Sequence, residues 1–158
     1  MSHPSSLLYN FRAAIINVPA ADSITALVDH GFRSWCMRQF RLAGVKCDDP
    51  RPVPKGPQRD AVRTKLVEYK NILQSIVMPE GGSKMHVLLC PEKPSFSGNF
   101  CANVFLPIAG KANHYCVKYA GMVLFDVCSF QRDLVSGVMA PELAAAFISE
   151  CRPKTFVR

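Results

Sequence analysis

Apolar positions along this chain follow two periods. Between Gln58 and Met78, Val62, Leu66, Tyr69, Leu73 and Ile76 recur every three or four residues, with Arg63, Lys65, Glu68 and Lys70 between them. That spacing predicts an amphipathic helix docking one face on a core. Pro79, Gly81 and Gly82 end it. From Lys84 onward strand signals dominate, and Lys84 to Cys90 and Asn99 to Leu106 read as strands. The intervening PEKPSFSG is a surface connection.

The stretch Asn113 to Asp126, NHYCVKYAGMVLFD, reads as two further strands joined by a tight turn. A three-residue loop, Tyr119-Ala120-Gly121, puts Gly121 where the backbone needs a positive φ, which glycine adopts without steric cost. In that register Lys118 faces Met122 and His114 lies opposite Asp126, with Cβ atoms roughly 4.5 to 5.5 Å apart. A two-residue loop, Ala120-Gly121, sends the pair to opposite faces instead.

The first half is expected to be helical. Leu7 to Val18 fits a strand or a short helix ending at Pro19, and Asp22 or Ser23 can cap a short helix through Val28 that Gly31 closes. Met37, Phe40 and Leu42 recur at roughly helical spacing up to Gly44. That places Cys36 in a first turn, where the helix dipole favours a thiolate. DDPRPVPKGP, residues 48 to 57, is a loop, and Pro141 to Ser149 is a short helix. Helices followed by strands imply an α+β fold, N-terminal helices packed on a C-terminal antiparallel sheet, in one domain over 1–158 with its core at about 22–150.

Composition adds bounds. With 158 residues, 49% of them apolar, the chain can build one core. No run of 18 apolar residues marks a membrane span, and the first residues lack the pattern of a general secretory signal. Seven cysteines cannot all pair within the chain and their spacing is irregular, which argues for reduced thiols. No C-x-x-C occurs, His114-x-Cys116 with Cys128 is a poor zinc set, and neither a metal nor a cofactor is expected. The net charge of +7 is concentrated early, with eleven Lys and Arg against six acids in residues 1 to 70. Scattered in this way it reads as a solvated face, and nucleic acid is not expected as a partner.

Cys36, then His114, then Asp126, with Asn113-His114-Tyr115 on a strand, a short turn, and Gln131 after the aspartate, resembles the papain-like cysteine hydrolase superfamily. The nearest likeness is to bacterial papain-fold toxin and effector domains, including dermonecrotic-toxin-type glutamine deamidases, over roughly residues 31 to 131. The resemblance implies a papain-like fold and a thiol-dependent amide hydrolase, a deamidase or cysteine protease, acting on a protein substrate, a host protein being one candidate. Cys36 would be the nucleophile, His114 the proton carrier and Asp126 the group fixing the imidazole tautomer. The Cys36 N–H would form half of the oxyanion hole, with Trp35, Ser34 and Gln131 in support and the second donor open between Ser34 and Asn17. It further implies a cognate inhibitor or immunity protein as partner, and synthesis in a bacterial cytoplasm with export by a specialised secretion system. Trp35 precedes Cys36 where papain-type proteases carry a tryptophan after the nucleophile, and no glutamine lies upstream nearby. The alternatives are a peptidoglycan amidase effector and a non-catalytic basic binding domain that meets an acidic protein or RNA. In the latter case Cys36, His114 and Asp126 are structural, as are the reserve histidines His30 and His86.

Overall fold

The computed structural model describes residues 10–79, 86–92, 100–108, 114–119 and 121–150. Expectations for Leu7 to Tyr9, Gly81 and Gly82, most of PEKPSFSG, Asn113, Cys151 and the His86 side chain lie outside the described residues.

The described chain is mostly sheet. Strands β1 (Phe11–Ala20), β2 (Ser23–Asp29) and β3 (Trp35–Leu42) come first, followed by helix α1 (Pro57–Val77). Strands β4 (His86–Glu92), β5 (Phe100–Pro107), β6 (Cys116–Tyr119) and β7 (Met122–Asp126) precede helices α2 (Val127–Val135) and α3 (Pro141–Glu150). The sheet order is β3-β2-β1-β4-β5-β7-β6, and β3 also pairs with β5 in parallel through Phe40, Arg41 and Leu42. That last pairing closes the first five strands into a barrel, leaving β7 and β6 as an extension. Three strands joined in succession, with a fourth returning beside the first, make the connectivity a Greek key.

This overturns the expected layout of N-terminal helices on a C-terminal sheet, and with it the papain-like architecture. The reason lies in the first fifty residues, where inward positions alternate. Ile24, Ala26 and Val28 on β2 pair with Phe40, Arg38 and Cys36 on β3, and β1 supplies Ala13 and Ile15 to the same core. The period is therefore two, with β-branched residues inward, and the strands close on one another. Asp22 and Ser23, which resemble a helix cap, stand at the β1–β2 corner. Met37 only appeared to extend a helical stripe with Phe40 and Leu42, because it faces outward, 62% exposed. Register shifts between Ile15, Asn17 and Ala20 let β1 bend around the barrel.

Val87, Leu89, Ala102, Val104 and Leu106 complete the interior. Helix α1 forms where the period predicted it and buries Leu73, Ile76 and Val77. Helix α2 was not anticipated. Asp126 creates it, ending β7 and capping the helix by accepting from the Ser129 N–H at 3.1 Å. The hairpin takes the tighter option: Tyr119 pairs with Met122 and Cys116 with Phe125, so the loop holds two residues, not three. Gly121 has φ 81, the positive value foreseen for it.

Candidate functional site

The three residues of the expected triad are dispersed. Cys36 lies on a strand, so no helix dipole acts on it. It pairs with Val28 and its Sγ lies 3.8 Å from the Met37 carbonyl oxygen. His114 is exposed ahead of β6, its ring centroid 3.6 Å from that of Tyr115. Asp126 pairs with Phe105 and has both oxygens engaged by Ser129, Oδ1 accepting from the backbone N–H and Oδ2 from the hydroxyl at 2.7 Å. The two-residue hairpin loop moves His114 out of the position facing Asp126. Register leads from Cys36 through Val28, Ala13 and Val87, so β2, β1, β4 and β5 lie between Cys36 and β7 along the sheet. Across the direct β3–β5 pairing the two are also far apart, since Cys36 lies four residues before Phe40 and Phe105, the partner of Asp126, five after Phe100, an offset of roughly 30 Å along the strands at about 3.3 Å per residue. Proton transfer requires contact at about 3 Å.

The supporting residues divide similarly. Gln131 is fully buried, its Nε2 donating to the Ala21 carbonyl at 2.8 Å and the Tyr69 carbonyl at 3.3 Å, so it ties α2 to the β1–β2 corner and to α1. Its Oε1 has no partner among the described residues. Asn17 is exposed on β1, while Ser34 closes the β2–β3 turn, its N–H bonded to the Gly31 carbonyl. His30 ends β2 with its ring 5.8 Å from that of Phe11. Among the described residues, no three His, Cys, Asp or Glu side chains converge as metal ligands, and no helix is long and apolar enough to cross a membrane.

What the fold does assemble is the outer face of β2 and β3. Trp35, Met37, Gln39 and Arg41 share the outward parity of β3, opposite Asp29, Leu27, Thr25 and Ser23. Trp35 is 40% exposed and Met37 62%, in a molecule whose other large apolar side chains mostly line the core. Because β5 pairs only with Phe40, Arg41 and Leu42, the first half of β3 runs beyond the barrel wall. There Arg38 sits over the exposed Phe100 ring, 5.2 Å from its centroid, a cation–π distance. From His30 to Cys47 the chain carries Arg33, Arg38, Arg41 and Lys46 and no acid.

At its far end this face runs into a cleft of about 500 Å³ between the β1–β2 corner, the chain after β3 and helix α1, lined by Asp22, Arg41, Cys47, Asp49, Arg51 and Lys70 among others. Arg41 bridges to Asp22 at 3.2 Å and Arg51 to Asp49 at 2.8 Å. Burial, aided by Asp22 and Asp48, pushes the Cys47 thiol up to about 12, so it stays protonated at neutral pH. The cleft is therefore balanced in charge, and Arg33 and Arg38 lie outside it.

The chain matches no protein-family model, no curated protein and no solved structure.

Proposed function

We propose that this protein is a non-catalytic binding module whose ligand is a single-stranded nucleic acid, held along the outer face of β2 and β3. The carrying observation is that face: Trp35 and Met37 stand exposed on its outward side, with Arg33 in the turn before β3 and Arg41 at its far end, while Asp29 opposite Trp35 and Asp22 bridged to Arg41 are the acids beside them. Closed five-stranded Greek-key barrels of the OB type use this face for oligonucleotides and oligosaccharides. That likeness of build is an analogy; the side chains carry the case.

Each residue type has a physical role. Indole and thioether surfaces stack on the flat faces of bases, a contact that tolerates any sequence. Guanidinium groups neutralise phosphates: Arg33 does so from the β2–β3 turn, and Arg38, which leaves β3 on the side opposite Trp35 and lies over Phe100, only where the backbone passes the open edge of β3. Arg41 shares its charge with Asp22 and therefore contributes less. This reading departs from the expectation that nucleic acid is not a partner, and it rests on the exposed Trp35 and Met37 with Arg33 beside them. The amide-hydrolase reading draws no support from the positions of Cys36, His114 and Asp126. A neutral oligosaccharide would stack on Trp35 but would leave the arginines unused.

Anisotropy of a labelled oligonucleotide tests the reading. Affinity should fall with salt, log K changing by about −0.7 per log unit of salt for each phosphate contacted. Binding that is insensitive to salt, or no binding at low salt, would remove the proposal.

A further inference from the structure

The β2–β3 turn is unlike any other described connection. Gly31, Phe32 and Arg33 all have positive φ, at 80, 53 and 60°. Glycine adopts this region freely, but for a bulky residue such as phenylalanine it is an outlier that the surroundings must enforce. Here they do so. The His30 N–H donates to the Ser34 carbonyl and the Ser34 N–H to the Gly31 carbonyl, each at 2.9 Å, and the Gly31 N–H donates to Asp29 Oδ1 at 2.8 Å. The result holds the Phe32 ring wholly in solvent, 105% exposed, where hydration opposes it. Conformational strain together with an unburied aromatic ring at the end of a proposed binding face indicates a contact made only in the complex.

We infer that Phe32 is a stacking wedge for a duplex end, so that the preferred ligand is a junction: single strand along β3, paired nucleic acid beyond the β2–β3 turn. This rests on the reading of β3 given above and specifies its ligand. Phe32 lies past Trp35, off the end of the strand, with neither ring face covered by protein. A loose base in a flexible strand can rotate away from such a ring. A terminal base pair offers instead a flat apolar surface already facing water, and apolar side chains that meet base steps act as wedges of this kind. Arg33, adjacent on the same turn, meets the denser phosphate charge that a second strand brings. A lipid surface would also accept an exposed Phe beside an Arg. The line of Trp35, Met37 and Gln39 running back along β3 to Arg41 matches a linear chain of bases better than a membrane plane.

The test compares two ligands by anisotropy: an oligonucleotide of about 12 nucleotides, within the 4–16 that one such barrel covers, and the same strand as an overhang on a short hairpin. The wild type should bind the junction about tenfold more tightly, the scale of one stacking contact. Phe32→Ala should bring that ratio close to one, and Phe32→Trp should restore it. Among the described residues the ring packs against nothing, so circular dichroism of both variants should match the wild type. A ratio near one in the wild type, with the strand still bound, overturns the wedge and leaves the β3 reading standing. A preference that survives Phe32→Ala overturns the wedge as well. Failure of both ligands to bind overturns both proposals, as does Phe32-dependent sedimentation with phosphatidylserine vesicles in their place.

Discussion

Aromatic side chains meet two fates in this molecule. Behind the β6–β7 hairpin, Tyr115, Phe125, Phe130 and Phe147 converge with ring centroids 5.3 to 6.3 Å apart. Phe130 is fully buried, and the Tyr115 hydroxyl donates to Asp133 at 2.8 Å. On β3 and its neighbours, Phe32, Trp35 and Phe100 stand exposed, accompanied by arginines where the other group has helices α2 and α3. Hydrophobicity alone does not separate the two groups. What separates them is whether another element closes over the ring: α2 and α3 do so at one end, whereas β5 leaves the first half of β3 uncovered. The first group should carry stability and the second recognition.

Substitutions can break that division, beginning where the effect is largest. Phe130→Ala removes the centre of the buried cluster and should cost about 3–5 kcal/mol in denaturant unfolding. Alkaline pH probes the same interior without mutation. Burial raises the thiols of Cys128 and Cys47 from 9.0 to about 12, and Tyr115 is raised as well, first by burial and then by Asp133. The folded state thus holds protons that the unfolded state releases, so stability is fully present below pH 9 and is lost as pH rises from 9 towards 12. Thermal melts across that window should show the decline, and Cys128→Ala should flatten it.

Trp35→Ala should act in the opposite sense to Phe130→Ala, weakening oligonucleotide binding by about 1–3 kcal/mol while moving the unfolding midpoint little. Equal losses of stability from the two would erase the division. The smallest effect is expected from Cys36→Ala. This half-buried thiol should change stability by about 0.5 kcal/mol or less, and oligonucleotide affinity should stay within twofold, measured by urea titration and anisotropy.

Much of the second half was legible in the sequence because its periods are long or clean. Helix α1 shows five apolar positions on one face, β5 alternates in burial, and β4 is a short continuous apolar run. The first half misled because its strands carry apolar residues on both faces. Leu27 and Met37 point outward beside inward Val28 and Phe40, so the alternation blurs and three- and four-residue spacings emerge. Asp22 and Ser23 then supplied a false helix cap at what is a strand corner. Hairpin register hinged on a single residue of loop length, and the tighter turn separated His114 from Asp126. The order Cys36, His114, Asp126 is a one-dimensional signal that barrel closure does not fold into one place. The stretch around Trp35 was present in the sequence, but read as a helix it spread Trp35, Met37, Gln39 and Arg41 around a cylinder, whereas on β3 these four share one side.

Trp35 is the only tryptophan in the chain, so its emission reports on the β3 face alone. On titration with an unlabelled single-stranded oligonucleotide at low salt, stacking should quench that emission, saturating at the concentration where anisotropy saturates and reversing when salt is added. Emission that stays constant while the oligonucleotide binds would place the ligand elsewhere on the molecule and contradict the account.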